Sequence, residues 1–144
     1  MPEQLVVDAS VVAKLYLRDE QYTNQADLLF LRFGRGEIQL IAPNLITYEV
    51  PAAIKRGAAR VKATEQTWRA ALSSFESLGL SIIDDCDAKY EATRLALDLA
   101  CGYYDALYLL LAGDLGCRFV TADEKLWRNL RTRVGYLLLL ASYK

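Results

Sequence analysis

The acids Asp8, Glu49, Asp105 and Asp123 are the residues whose types and positions point to chemistry. The 144-residue chain has no histidine, which removes Ser-His-Asp and Cys-His nucleophiles, the H-E-x-x-H metal motif and histidine acid–base catalysis. It has neither a G-x-x-x-x-G-K-S/T nor a G-x-G-x-x-G phosphate loop. Cys86, Cys101 and Cys117 are widely spaced and form no C-x-x-C pair, so they read as free thiols in a reducing compartment. What remains is carboxylates, hydroxyls, lysine and arginine. Carboxylates on an α/β scaffold suit a hard cation such as Mg²⁺ or Mn²⁺.

The elements that position these acids follow from the apolar pattern. Leu5-Val6-Val7 is a short apolar run ending in Asp8-Ala9-Ser10, as expected of a strand buried on both faces that opens into a helix. That helix is expected from Val11 to Leu17. Thr23 to Arg35 repeats apolar residues at helical spacing and stops at Gly34 and Gly36. Ile38 to Ala42 is a second strand. Asn44 is the expected cap of a helix reaching Ala58 or Ala59, in which Pro51 should produce a kink.

Trp68, Leu72 and Phe75 mark an amphipathic helix closed by Gly79, and Leu80 to Ile83 is a third strand. Asp87 is placed to cap the next helix, whose apolar face is Ala88, Ala92, Leu95 and Leu99. Gly102 breaks it, and a further helix begins around Tyr104-Asp105-Ala106-Leu107 and ends at Gly113 or Gly116. Cys117 to Thr121 is a fourth strand, Asp123 opens a short helix through Leu130, and Val134 to Ala141 reads as the last strand. Strands separated by helices are the pattern of a doubly wound α/β sheet. One domain over 1–144 is expected, with three α/β/α layers around a mostly parallel sheet of about five strands.

Each acid also has an ordinary explanation. Asp8 and Asp123 suit helix caps, Asp105 suits a first-turn acid, and Glu49 suits a solvated helix position. Together they point elsewhere. Asp8 and Asp123 each follow a strand. Asp105 opens the helix leading into the fourth strand, and Glu49 lies early in the helix after the second. All four belong to the carboxyl edge of a parallel sheet, where α/β proteins bind ligands. Converging carboxylates raise one another's pKa, and a bound cation relieves that repulsion. Asp84-Asp85-Asp87 is a rival cluster, although acids so close in sequence more often form a solvated turn. Ser10 and Thr121 each stand two residues from an acid, placed either to orient a carboxylate or to bond the local backbone.

The net charge of −1 carries no message about nucleic acid, so only local charge can. Lys55, Arg56, Arg60 and Lys62, with Arg128, Arg131 and Arg133, offer phosphate contacts or a solvated surface; Lys55, Arg56 and Arg60 are the expected RNA contacts. The amino terminus lacks a signal-peptide pattern, and the longest apolar runs fall short of the ~20 residues that span a bilayer. A cytoplasmic protein with no membrane association is expected.

The segments Leu5-Val6-Val7-Asp8-Ala9-Ser10, Tyr48-Glu49-Val50, Tyr104-Asp105-Ala106-Leu107-Tyr108-Leu109 and Thr121-Ala122-Asp123-Glu124-Lys125-Leu126 resemble the acidic motifs of PIN-domain ribonucleases. In size the chain is most similar to VapC-type toxins of toxin–antitoxin pairs. The resemblance implies a Mg²⁺- or Mn²⁺-dependent endoribonuclease with Asp8, Glu49, Asp105 and Asp123 as its catalytic and metal-binding acids. It also implies a structured RNA substrate such as tRNA or rRNA, a homodimer, and a small antitoxin that blocks the site. Two positions depart from the family pattern. Ala52 stands where Asn is common, and Gly102 stands where Ser or Thr is common. A module that binds RNA or protein without cutting, and an aspartyl phosphotransferase using Asp8, are the alternatives. The second would want another acid at position 10, where this chain has Ser10.

Overall fold

The computed structural model describes residues 1–144. Five strands form one sheet in the order β3-β2-β1-β4-β5: β1 Glu3–Val7, β2 Ile38–Pro43, β3 Ser81–Ile83, β4 Arg118–Thr121 and β5 Leu137–Leu139. Every neighbouring pair is parallel, so the expected mostly parallel sheet is wholly so. The register sets Leu5 beside Leu40 on one flank and beside Arg118 on the other. Side chains alternate faces along a strand, yet Leu5, Val6 and Val7 are all fully buried. Both sheet faces are therefore covered, which makes the architecture three-layered.

Helix α1 (Ala9–Val12) continues as a 3₁₀ turn, Ala13–Leu15. The others are α2 Thr23–Gly34, α3 Ile46–Val61, α4 Glu65–Glu76, α5 Lys89–Leu99, α6 Tyr103–Leu115 and α7 Glu124–Leu130. The chain leaves β1 through β2 to β3, then returns to the other side of β1 to add β4 and β5. The direction reverses between β1 and β4, so a crevice opens at their carboxyl ends.

Several boundaries differ from the sequence expectation. The first helix starts at Ala9, ahead of the expected Val11. Asn44 does not cap α3 with its side chain; its carbonyl takes the Thr47 amide at 3.0 Å, and Asp85 accepts the Leu45 amide at 3.0 Å. The cap thus comes from a residue forty positions away, which no local pattern encodes. α3 extends through Pro51 to Val61, so the proline removes a backbone donor without ending the helix. Asp87 caps nothing. Asp84 holds the Cys86 amide at 2.9 Å, and Cys86–Ala88 already coil as a 3₁₀ turn ahead of α5. The last strand is only Leu137–Leu139. The Val134 amide still bonds the Leu130 carbonyl at 2.8 Å, and Leu140–Ser142 turn away in a 3₁₀ helix. All three cysteines are free thiols, and no single helix is long and apolar enough to cross a membrane.

Candidate metal centre at the carboxyl edge of the sheet

Asp8 is the residue after β1, with extended backbone (φ −73, ψ 150). Its amide donates to the Val120 carbonyl at 2.9 Å, which carries the strand geometry one step past β1. The side chain makes no cap hydrogen bond to α1. Instead its Oδ2 accepts from Ser10 Oγ at 2.8 Å and from Thr121 Oγ1 at 2.7 Å. Those hydroxyls accept in turn. Ser10 Oγ takes the Ala122 amide at 3.0 Å, and Thr121 Oγ1 takes the Asp123 amide at 3.1 Å. Both hydroxyls are thereby oriented as donors to one carboxylate oxygen, and Oδ1 is left without a hydroxyl donor. Thr121 is completely buried and Asp8 nearly so. Burial raises the Asp8 pKa; the Thr121 and Ser10 hydroxyls and the Ala9 amide oppose the rise, and the Asp123 charge adds to it.

Asp123 follows β4 and caps α7, accepting the Leu126 amide at 3.0 Å. The cap explanation holds for this acid and not for Asp8. Asp123 is exposed and also lines the cleft, so cap and cleft wall are the same residue.

Glu49 sits in the first turn of α3, half-buried. Its Oε1 accepts from the Tyr108 hydroxyl at 2.7 Å. Burial raises its pKa, Tyr108 lowers it, Asp8 and Asp105 raise it, and Arg56 lowers it. Asp105 lies in the first turn of α6, where the chain begins its return toward β4. Its pKa is pushed up to about 6 by burial first, then by Asp8 and Asp123. These mutual effects tie all four carboxylates into one electrostatic unit.

One cleft of about 590 Å³ is lined by Asp8, Ser10, Glu49, Asp105 and Asp123 together with Lys14 and Glu20. No three carboxylate or thiol side chains, as placed, are close enough to enclose an ion on their own. A larger cavity of about 710 Å³ lies at the opposite, amino edge of the sheet. Glu3 is its only acid, so the concentration of carboxylates is particular to the carboxyl edge.

The remaining site expectations separate. Arg56 and Arg60 line the cleft, whereas Lys55 is exposed outside its wall. Glu49, Ala53, Arg56 and Arg60 follow one another at steps of four, three and four, a single stripe of α3 turned to the cleft. Arg60 is held by Asp19 at 2.9 and 3.1 Å, and Lys14 by Glu20 at 3.1 Å, while Arg56 has no ion-pair partner. Ala52 is exposed and lies outside the cleft wall. At Gly102, α6 starts without a side-chain cap. The rival acids disperse: Asp85 bonds Leu45, Asp84 bonds Cys86, and none of the three lines the cleft.

Sequence reasoning missed Lys14, Glu20 and Tyr108. For Tyr108 a signal existed, because it stands three residues after Asp105 on one helix and shares its side.

No curated protein matches this chain. The crystal structure of PAE2754 from Pyrobaculum aerophilum is similar with a TM-score of 0.70, covering 99% of this chain and 94% of that one. The two are 22% identical, and the likeness is one of fold. The profile of the PIN domain matches residues 5–131, a span that contains every acid of the cleft. Over nearly its whole length, then, this chain belongs to the PIN-domain family.

Proposed function

We propose that this chain is a Mg²⁺- or Mn²⁺-dependent endoribonuclease that cleaves structured RNA, of the tRNA or rRNA kind, as the toxin of a toxin–antitoxin pair. PIN domains are generally nucleases that use divalent metal ions. The observation that supports the reading here is the gathering of Asp8, Glu49, Asp105 and Asp123 on one cleft, each of the first three with its carboxyl pKa raised. A cluster of carboxylates that repel one another and carry hard oxygen donors fits a hard divalent cation. The ligands proposed are those four acids, with water completing the coordination because no three carboxylates enclose an ion directly.

A divalent ion in such a site supplies an activated water and neutralises charge on the phosphate. The protein's own part is positioning. Ser10 and Thr121 fix Asp8 through Oδ2 and leave Oδ1 without a hydroxyl donor. Arg56, with Arg60 and Lys55 further out, draws in the phosphate backbone. With no histidine in the chain, proton movement at the cleft falls to these carboxylates and water. Homodimerisation and capture by a small antitoxin in the cytoplasm complete the proposal. Exposed Leu31, Leu97, Tyr90 and Tyr104 offer apolar surface for such contacts.

The test is induction of the chain and of Asp105→Asn in a host, followed by mapping of new RNA ends and by cleavage with purified protein and Mn²⁺. Growth arrest with discrete new ends for the wild type, and neither for the variant, is the expected result. RNA that binds but stays intact in Mn²⁺ would favour the non-cutting module. Covalent phosphate on Asp8 would instead mark a phosphotransferase.

A further inference from the structure

We propose that Tyr108 is a positioning residue for Glu49, holding that carboxylate at the cleft through the hydroxyl bond that joins α6 to α3. The proposal rests on the metal-dependent reading of the cleft. Glu49 has a long side chain on a half-exposed turn, and nothing in α3 itself fixes where its carboxylate points. Tyr108 supplies the fixed point. Its ring is 1% exposed and stacks on Phe119 of β4, with centroids 5.3 Å apart and planes 11° from parallel. From that anchored ring the hydroxyl donates to Glu49 Oε1 at 2.7 Å.

Packing alone does not require a tyrosine. Phenylalanine would keep the ring, the stack on Phe119 and the burial. The hydroxyl adds the bond to Glu49, and that bond spans 59 positions of sequence. It leaves Oε2 free to meet a cation. Asp105 stands one helical turn before Tyr108 on the same side of α6. One helix therefore presents an acid of its own and fixes an acid of its neighbour, so a shift of α6 against α3 would misplace both. A hydrogen bond that orients a metal-binding carboxylate from behind is commonly worth 10–100-fold in metal affinity.

The experiment is calorimetric titration of Mn²⁺ into wild type, Tyr108→Phe, Glu49→Gln and the double variant, with melting in chelator measured on each and the KM for RNA measured on wild type and Tyr108→Phe. Tyr108→Phe should melt close to wild type in chelator, weaken Mn²⁺ binding by roughly 10-fold or more, and leave the KM for RNA unchanged. In the Glu49→Gln background the same change should have no further effect on Mn²⁺ affinity. Equal Mn²⁺ affinity in wild type and Tyr108→Phe would overturn the positioning role while leaving the nuclease reading intact. An equal loss in both backgrounds would also overturn it, because the hydroxyl would then act on the fold and not through Glu49. A folded wild type that takes up no Mn²⁺ would overturn the metal-dependent reading and, with it, the role built on it.

Discussion

At the scale of single residues the acids are not equivalent, and Asp105 carries the clearest strain. Its carboxyl is pushed from the ordinary 3.8 to about 6, by burial first and then by the charges of Asp8 and Asp123. Between those values the folded protein holds a proton that the unfolded chain has released. Stability of the metal-free protein therefore falls as pH rises through this window, and the loss persists above it. Asp105→Asn removes the charge and keeps the shape. In chelator near pH 7.5 the variant should be more stable than wild type by on the order of 1–2 kcal/mol, once solvent screening of a half-buried group is allowed for. Below about pH 4 the difference should close, because the wild-type carboxyl is then protonated in both states. Urea denaturation at the two pH values checks both the sign and the window, and a variant less stable at the higher pH would mean that Asp105 is not repelled in the folded state. All four acids were legible in the sequence, since each follows a strand or opens a helix at one sheet edge. Which of them bears the strain was not. Asp105 and Asp123 are the same residue type in similar local patterns, and only the fold makes one half-buried and the other an exposed cap.

At the scale of elements, two hydroxyls bind the turn after β1 to the turn after β4. Ser10 donates to Asp8 and accepts from Ala122; Thr121 donates to Asp8 and accepts from Asp123. The two sides of the crevice at the sheet's reversal are thus tied together by side chains, in the place where parallel pairing runs out. Thr121→Val keeps the volume and removes the hydroxyl. It leaves the Asp123 amide without its acceptor and the buried Asp8 carboxylate with one donor fewer, a loss of about 1–3 kcal/mol. Thr121→Ser keeps the hydroxyl and loses one buried methyl, about 0.8 kcal/mol. Chemical denaturation should therefore rank the variants with serine above valine, although valine is the closer match in shape. The opposite order would make Thr121 a packing residue. In the sequence these hydroxyls were visible only as neighbours of acids, with local backbone bonding an equal explanation. The cross-sheet partner decides the matter, and it lies 113 positions away for Thr121 and Asp8. The cap of α3 by Asp85 was hidden for the same reason, because its acceptor lies forty positions away, whereas β5 is short because local turn bonds, Val134 to Leu130 and Tyr143 to Leu140, hold the chain on either side of it.

At the scale of the whole molecule, a net charge of −1 provides no general attraction to RNA. Any attraction must be local and must work beside an acidic centre. The fold meets this by running one stripe of α3 from Glu49 through Ala53 to Arg56 and Arg60 along the cleft. Along that stripe negative charge gives way to positive within two to three helical turns, so a phosphate chain running along the cleft passes between the acids and the cations. The cations differ in availability. Arg60 already pairs with Asp19 and Lys14 with Glu20, whereas Arg56 pairs with nothing and faces the cleft; Lys55 is unpaired too but stands outside it. Each phosphate neutralised on single-stranded RNA contributes about −0.7 to the slope of log K against log salt. Arg56→Ala should therefore flatten the slope by roughly 0.7 and weaken binding at low salt. Lys55→Ala should flatten it least, since Lys55 stands outside the cleft wall. Arg60→Ala should flatten it less than Arg56→Ala, since its charge is already shared with Asp19. Anisotropy titrations of a labelled RNA at several salt concentrations, in chelator so that no strand is cut, distinguish the three variants. If all three flatten the slope equally, the basic residues of α3 act as a diffuse surface charge, and the stripe that faces the cleft has no special part in guiding the strand. If Arg56→Ala alone stands out, the same helix that carries Glu49 also sets where the phosphate backbone lies relative to it.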